Sequence, residues 1–132
     1  MLFRSLPEPL VPRPLRRGVI ERVDRDGNII TALDQQSLER EVACLLEADV
    51  ESVAIAFMHA YRNPQHERQA ASYIGEVAPG LSVSCSCDVS PEIREFERTS
   101  TTVINAYLQP IMERYLQRLA AGKTSGCRCC CV

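Results

Sequence analysis

Apolar and polar positions alternate along residues 18–24, "GVIERVD", as they do in a half-buried strand. "RDGN" (25–28) follows with Asp-Gly at its centre, a turn signal, and "IITAL" (29–33) returns as a second strand, which predicts a β-hairpin. Asp34 then caps a helix running to about Ala48, with Leu38, Val42, Leu45 and Leu46 recurring at spacings of three and four. The almost wholly apolar run "SVAIAFM" (52–58) fits a strand covered on both faces, as in parallel sheets. "NPQHERQAASYIGEVAPG" (63–80) reads as a helix with Asn63 as cap and Pro64 at its first position. "LSVSCSCDV" (81–89) alternates strictly, placing Leu81, Val83, Cys85 and Cys87 on one face and serines on the other. Ser90-Pro91 repeats the cap-and-proline entry, and the last helix extends to about Ala121.

The order β-hairpin, α, β, α, β, α with a long final helix predicts an α/β fold with a parallel portion. A Pro-rich extended lead-in occupies residues 1–17, where Pro7, Pro9, Pro12 and Pro14 exclude a helix. The α/β unit occupies 18–121, and a Cys-rich irregular tail occupies 122–132.

The final helix is unusual. Ile93, Phe96, Val103, Ile104, Tyr107, Leu108, Ile111, Met112, Tyr115, Leu116 and Leu119 form one stripe, expected to be core. Ser100 interrupts that stripe, within a hydroxyl run from Thr99 to Thr102. Pro110 lacks a backbone donor and clashes with the carbonyl of Ala106, which predicts a kink near residues 106–110. The charged start, Glu92, Arg94, Glu95, Glu97 and Arg98, is explained by i,i+3 and i,i+4 pairing.

Composition narrows the function classes. The chain has 132 residues, 45% of them hydrophobic, and a net charge of −2 with both signs interspersed, so it offers no concentrated basic surface for nucleic acid. The cluster Arg13, Arg16 and Arg17 beside prolines reads as a solvated linker. No apolar run approaches the roughly 18 residues of a membrane span. With no signal-peptide pattern either, a cytoplasmic protein is expected. Cys44, Cys85 and Cys87 read as small buried hydrophobes, and Cys127, Cys129, Cys130 and Cys131 crowd the end.

In open α/β sheets ligands bind beyond the carboxyl ends of the parallel strands. Two connections fall there, "HAYRN" (59–63) and "DVSPE" (88–92), and they should be neighbours. This places His59, Arg62, Asn63, Asp88, Ser90 and Glu92 in one region, with types that suit anions or polar ligands. Asn63 and Ser90 can equally serve only as helix caps, with the others solvated. His59 and His66 have no partner at a spacing that helical geometry would fix and read as surface histidines, so no metal site is expected. The six glycines do not cluster, and no phosphate-binding loop, nucleophile elbow or dinucleotide fingerprint occurs.

"PEIREFERTSTTVINAYLQP", "AFMHAYRNPQHE" and "PEPLVPRPLRRGVIERVDRDGNIITALD" resemble, in the same order, stretches in the N-terminal region of the hydantoinase A / oxoprolinase family. The resemblance covers roughly residues 7–120. It implies part of an actin-like (ribonuclease H-like) ATPase domain from large enzymes that open cyclic amides or ureides after activating the carbonyl with ATP and a divalent cation such as Mg. Ketone carboxylase subunits belong to the same family. The glycine-rich element resembling "DxGGTxTD" that opens the family is not found, so the resemblance implies a fragment that is inactive alone and depends on the remaining domains or subunits. A non-enzymatic docking module or subunit piece is the alternative. Because "EFERTSTT" recurs in the family, Glu97, Arg98, Thr99 and Ser100 are the first catalytic candidates.

Overall fold

The computed structural model describes residues 9–122. The expectations on residues 1–8 and on the Cys-rich tail lie outside them. In the lead-in, prolines exclude an α-helix but not a single 3-10 turn at Arg13–Leu15, where the fixed φ of Pro14 at an early position is compatible with helical geometry.

The hairpin forms from β1 (Arg22–Val23) and β2 (Ile29–Thr31), antiparallel, with Arg22 opposite Thr31. Its turn is held by Asp24, whose Oδ1 accepts from the amides of Asp26 (2.9 Å) and Asn28 (2.8 Å). Those bonds, led by the Asn28 side chain, hold the Asp24 carboxyl below its ordinary value. Gly27 takes φ +95°, which a side chain would strain. The expected first strand is cut short because Ile20 turns to the next helix: its amide donates to Ser37 Oγ (3.1 Å), and its carbonyl accepts from the Asp34 amide (2.9 Å).

Helix α1 (Gln35–Glu47) begins where Asp34 accepts from the Ser37 amide, as expected. β3 (Ser52–Ile55) is shorter than the apolar run 52–58. Helix α2 (Gln65–Val77) follows a turn in which Asn63 Oδ1 accepts from the Gln65 amide (3.1 Å). β4 (Ser82–Cys85) pairs in parallel with β3, Ser52 opposite Ser82 through Ile55 opposite Cys85. The alternation over 81–89 predicts one long strand, but the chain leaves β4 at Cys85 and coils into the short α3 (Ser86–Val89). The cause is tertiary: the Glu67 carboxylate takes both the Ser86 hydroxyl and the Cys87 amide.

The last helix, α4 (Glu95–Gly122), starts five residues after Ser90. Ser90 ends α3 by donating its amide to Ser86 O (3.1 Å), and as the residue before Pro91 it is held extended. The first bond of α4 runs from the Arg98 amide to Arg94 O (2.9 Å), and the helix continues through Pro110.

The sheet has two unlike faces. Val53, Ile55, Leu81, Val83 and Cys85 pack with Leu38, Val42, Ala70 and Ile74 of α1 and α2 to make the core. Cys85 is buried, whereas Cys44 and Cys87 are half-buried. The opposite face carries the serines of β4, and α4 lies on it. Ser82 Oγ and Ser84 Oγ donate to Gln109 Oε1 (2.5 and 3.2 Å), and Asn105 Nδ2 donates to Ser84 Oγ (3.0 Å).

α4 therefore turns its polar side inward. Arg98 and Thr102 are fully buried, and Ala106 nearly so. The stripe expected to be core faces out, with Phe96 81% exposed and Ile93, Ile104, Tyr107, Leu108, Ile111, Met112, Tyr115, Leu116 and Leu119 all exposed. A sheet face of small hydroxyl residues offers hydrogen bonds but no apolar volume, so the helix side that matches it is the polar one. Thr101 and Thr102 bond back to the carbonyls of Glu97 and Arg98 (2.8 and 2.7 Å), as hydroxyls inside helices do.

Candidate functional site

The parallel strands β3 and β4 end side by side, and the segments that leave them, at Phe57 and at Ser86–Cys87, both bond to Glu67 at the start of α2. Glu67, in the first turn of α2, is the junction. It is fully buried, yet its carboxylate accepts three hydrogen bonds: from Phe57 N–H (2.9 Å), Ser86 Oγ (2.5 Å) and Cys87 N–H (2.9 Å). One carboxylate thus ties the loop after β3 to the chain after β4.

Arg98 grips the same loop from the other side. Its side chain is fully buried, and Nη2 donates to Phe57 O (2.6 Å) and to Glu95 Oε2. The peptide groups of Phe57 are thus clamped between a carboxylate and a guanidinium. The Arg98 Nε and Nη1 are buried without a hydrogen-bond partner, and its guanidinium lies 5.7 Å from the centre of the Tyr61 ring. That cation–π contact offsets part of the cost.

The clamp fixes His59 in a left-handed conformation, φ 57°. Its amide donates to Glu95 Oε1 (3.2 Å). Its Nδ1 lies 3.0 Å from Val23 O, an acceptor, so Nδ1 carries the proton. Asn63 Nδ2 donates to Gly27 O (2.9 Å), which fastens the hairpin turn to the loop. Asn63 is therefore both a turn cap and a tether. Arg62 is exposed, with its guanidinium 5.8 Å from the Tyr61 ring centre.

The other expected residues divide. Asp88 is exposed and pairs loosely with Arg68 (3.9 Å), Ser90 closes α3 through its amide, and Glu92 stands exposed. Of the four candidates on α4, only Arg98 reaches the clamp. Glu97 pairs with Arg94 (3.6 Å) at the surface, while Thr99 and Ser100 line an apolar trough beside β3. His66, expected at the surface, is 3% exposed, because its ring reaches back to Glu21 (Nδ1 to Oε2, 2.9 Å). Glu67 went unnoticed in the sequence. Its signal is position: it sits three and seven residues before Ala70 and Ile74, inside the buried stripe of α2.

Two thiols border the clamp. Burial first, and then the Glu67 and Asp88 carboxylates, push Cys85 up to about 11. Burial and the bond to Glu67 push Cys87 up to about 12. Against the ordinary 9.0, a shift to 11 leaves about 100-fold less thiolate. Iodoacetamide at pH 8, followed by peptide mass mapping, should therefore modify Cys85 and Cys87 at least about 100-fold more slowly in the native chain than in urea. The folded state holds these protons after the unfolded state has lost them, so stability should fall as pH rises above 9.

Among the described residues, no group of three or more His, Cys, Asp or Glu side chains could hold a metal ion, and no helix is long and apolar enough to cross a membrane. The clamp offers rigid positioning of a polar rim.

Comparison with known proteins agrees with this architecture. The family described as the hydantoinase/oxoprolinase N-terminal region matches residues 1–78. The chain is 42% identical over 112 residues to the caprolactamase subunit alpha of Pseudomonas jessenii, covering 85% of this chain and 16% of that one. The crystal structure of the ATP-dependent caprolactamase from the same organism superposes with a TM-score of 0.84 at 39% identity, over 92% of this chain and 18% of that one. The 5-oxoprolinase of Saccharomyces cerevisiae is 37% identical over 111 residues, 81% of this chain and 8% of that one. A nucleotide-free acetone carboxylase structure superposes with a TM-score of 0.70 at 32% identity, over 77% of this chain and 15% of that one. The chain thus spans less than a fifth of each of these relatives. It belongs to the hydantoinase/oxoprolinase family.

Proposed function

We propose that this chain is a segment of an ATP-dependent enzyme that opens cyclic amides or ureides, and that it forms one wall of the cleft of an actin-like ATPase domain. The observation that carries this reading is the close superposition on the ATP-dependent caprolactamase, which takes in 92% of this chain. A ring amide is a poor electrophile, and phosphorylation of its oxygen creates a leaving group; ATP supplies that chemistry in the complete enzyme. Among the described residues no group of three or more His, Cys, Asp or Glu side chains could hold a metal ion, which supports the reading that the nucleotide phosphates and their cation are held by other parts of the enzyme. What this chain contributes is positioning. Glu67 and Arg98 hold the loop 56–63 rigid, and that loop presents Arg62 to the cleft. Arg62 and the rim residues Asp88, Ser90 and Glu92 are the substrate-edge candidates. A place in a cytoplasmic, multidomain or multisubunit assembly goes with the same reading.

The chain alone should show no ATP-dependent opening of hydantoin, 5-oxoproline or caprolactam above background. Phosphate release coupled to ring opening by the purified chain would contradict the reading.

A further inference from the structure

We infer that His59 and Arg62 together read one edge of the substrate's ring amide, with His59 Nε2 accepting the ring N–H and the Arg62 guanidinium donating to the ring carbonyl oxygen. This rests on the reading above, in which the loop 56–63 borders the cleft. Nearly every group of His59 is already committed. Its backbone is held left-handed at φ 57°, a conformation that glycine would adopt without strain. Its amide donates to Glu95 Oε1 (3.2 Å), and its carbonyl accepts from the amides of Arg62 (2.9 Å) and Asn63 (3.3 Å). Its Nδ1 proton goes to Val23 O (3.0 Å). Backbone strain of this kind concentrates where the surrounding structure fixes a side chain for use.

One atom is left over. With Nδ1 protonated, Nε2 of the neutral imidazole is an acceptor. Among the described residues, the only buried side-chain nitrogens and oxygens without a partner are Arg98 Nε and Nη1. The unpaired Nε2 of the half-buried His59 is therefore open to solvent. It stands in the loop that leaves the carboxyl end of β3, the edge at which open α/β sheets bind ligands. A donor stands close by. The His59 ring meets the Tyr61 ring edge-on, with centroids 6.2 Å apart, and the exposed Arg62 guanidinium lies 5.8 Å from the centre of the same Tyr61 ring. One aromatic ring thus has a neutral acceptor and a cationic donor against it.

An acceptor beside a donor matches one kind of ligand. A linear secondary amide is trans, which sets its N–H and C=O on opposite sides of the amide plane. A small ring forces the cis form, and N–H and C=O then lie on one edge. The pair can bind that edge at two points, and a trans amide at only one. Lactams and cyclic ureides share this edge, so the pair selects ring amides as a class rather than any single member. A bare phosphate or carboxylate would engage Arg62 but has no N–H for Nε2. The nearest carboxylate, Glu95, is already held by the His59 amide and by Arg98, which leaves Nε2 as the free acceptor.

Paired lactams test the assignment. With residues 9–122 grafted into the caprolactamase subunit alpha in place of its matching segment, caprolactam should be opened at least about 100-fold more efficiently than N-methylcaprolactam, which lacks the N–H. His59→Asn keeps a residue that tolerates the left-handed backbone but is too short to place an acceptor there. It should cut that ratio at least about tenfold, through caprolactam alone, whereas a merely structural His59 would lower both lactams equally. Arg62→Met should slow both and leave the ratio, because both keep the carbonyl. In the 132-residue chain, nitrogen NMR of the histidines at mildly alkaline pH should show His59 Nε2 unprotonated. Three results would overturn the pair: an unchanged ratio in an active His59→Asn graft, a ratio that Arg62→Met lowers as much, or a proton on Nε2. If the graft does not fold, the tautomer decides. A folded graft that opens neither lactam would sink the functional reading. Equilibrium dialysis would then separate the two claims: tighter binding of caprolactam, lost in His59→Asn, leaves the pair standing, and equal binding of the two lactams overturns it as well.

Discussion

Glu67→Ala should cost the folded chain about 4 kcal/mol of stability in urea titration of the 132-residue protein. The side chain is fully buried and holds three donors: Ser86 Oγ, which is itself buried, and the amides of the half-buried Phe57 and Cys87. Each buried donor left unpaired costs about 1–3 kcal/mol, and partial relaxation keeps the sum below the simple total. Small domains are stable by about 5–15 kcal/mol in all, so such a loss leaves little margin. Glu67→Gln is the informative companion. It preserves volume but sets an NH2 group against at least one of the three donors. If the pocket only needed filling, glutamine would be harmless; the hydrogen-bond geometry predicts a loss of about 3 kcal/mol.

Arg98→Met should act differently. Its guanidinium holds Phe57 O and Glu95, but it also buries Nε and Nη1 unpaired. Methionine loses the two contacts and the cation–π stack on Tyr61, and it removes the two unpaired donors as well. Glu95 is partly exposed and can return to water. The net cost to folding should be about 1–2 kcal/mol, with the chain still folded. The larger effect falls on the loop. The His59 amide is held by Glu95, and Glu95 is held by Arg98. His59 should therefore exchange at least tenfold faster in the variant, while the Val53 amide, fixed by β4, stays slow. In a caprolactamase graft carrying these residues, ring opening should fall at least tenfold, about 1.4 kcal/mol of barrier. A variant with unchanged His59 exchange and full turnover would show that Arg98 does not position the loop.

Sequence periodicity located α1 and the hairpin turn well, because their boundaries are set by local chemistry: Asp34 caps one, and Asp24 with Gly27 closes the other. The end of β4 was not legible. Nothing in "LSVSCSCDV" marks the exit at Ser86, which depends on a carboxylate nineteen residues earlier in the chain. The α4 expectation failed for a different reason. Its apolar stripe was real, but the surface awaiting it was the wrong kind. The serines at 82, 84 and 86 were already visible as one face of an alternating strand, and only a polar helix side suits them. A stripe of apolar residues says that something apolar covers it, not that the cover lies within the same 132 residues. The site was half legible on the same grounds. The parallel pairing of the two strands was legible from their pattern, while the two buried charges that tie down the segments leaving them declare themselves only by lying inside buried helix faces.

ATP-dependent turnover by the graft is the most direct measurement of the central claim. Residues 9–122 of this chain would replace the matching segment of the Pseudomonas jessenii caprolactamase subunit alpha, and caprolactam opening would be followed together with phosphate release. The account predicts coupled turnover within about tenfold of the parent, abolished when Glu67→Ala is introduced into the grafted segment. A folded graft with no turnover, or one indifferent to Glu67→Ala, would contradict it.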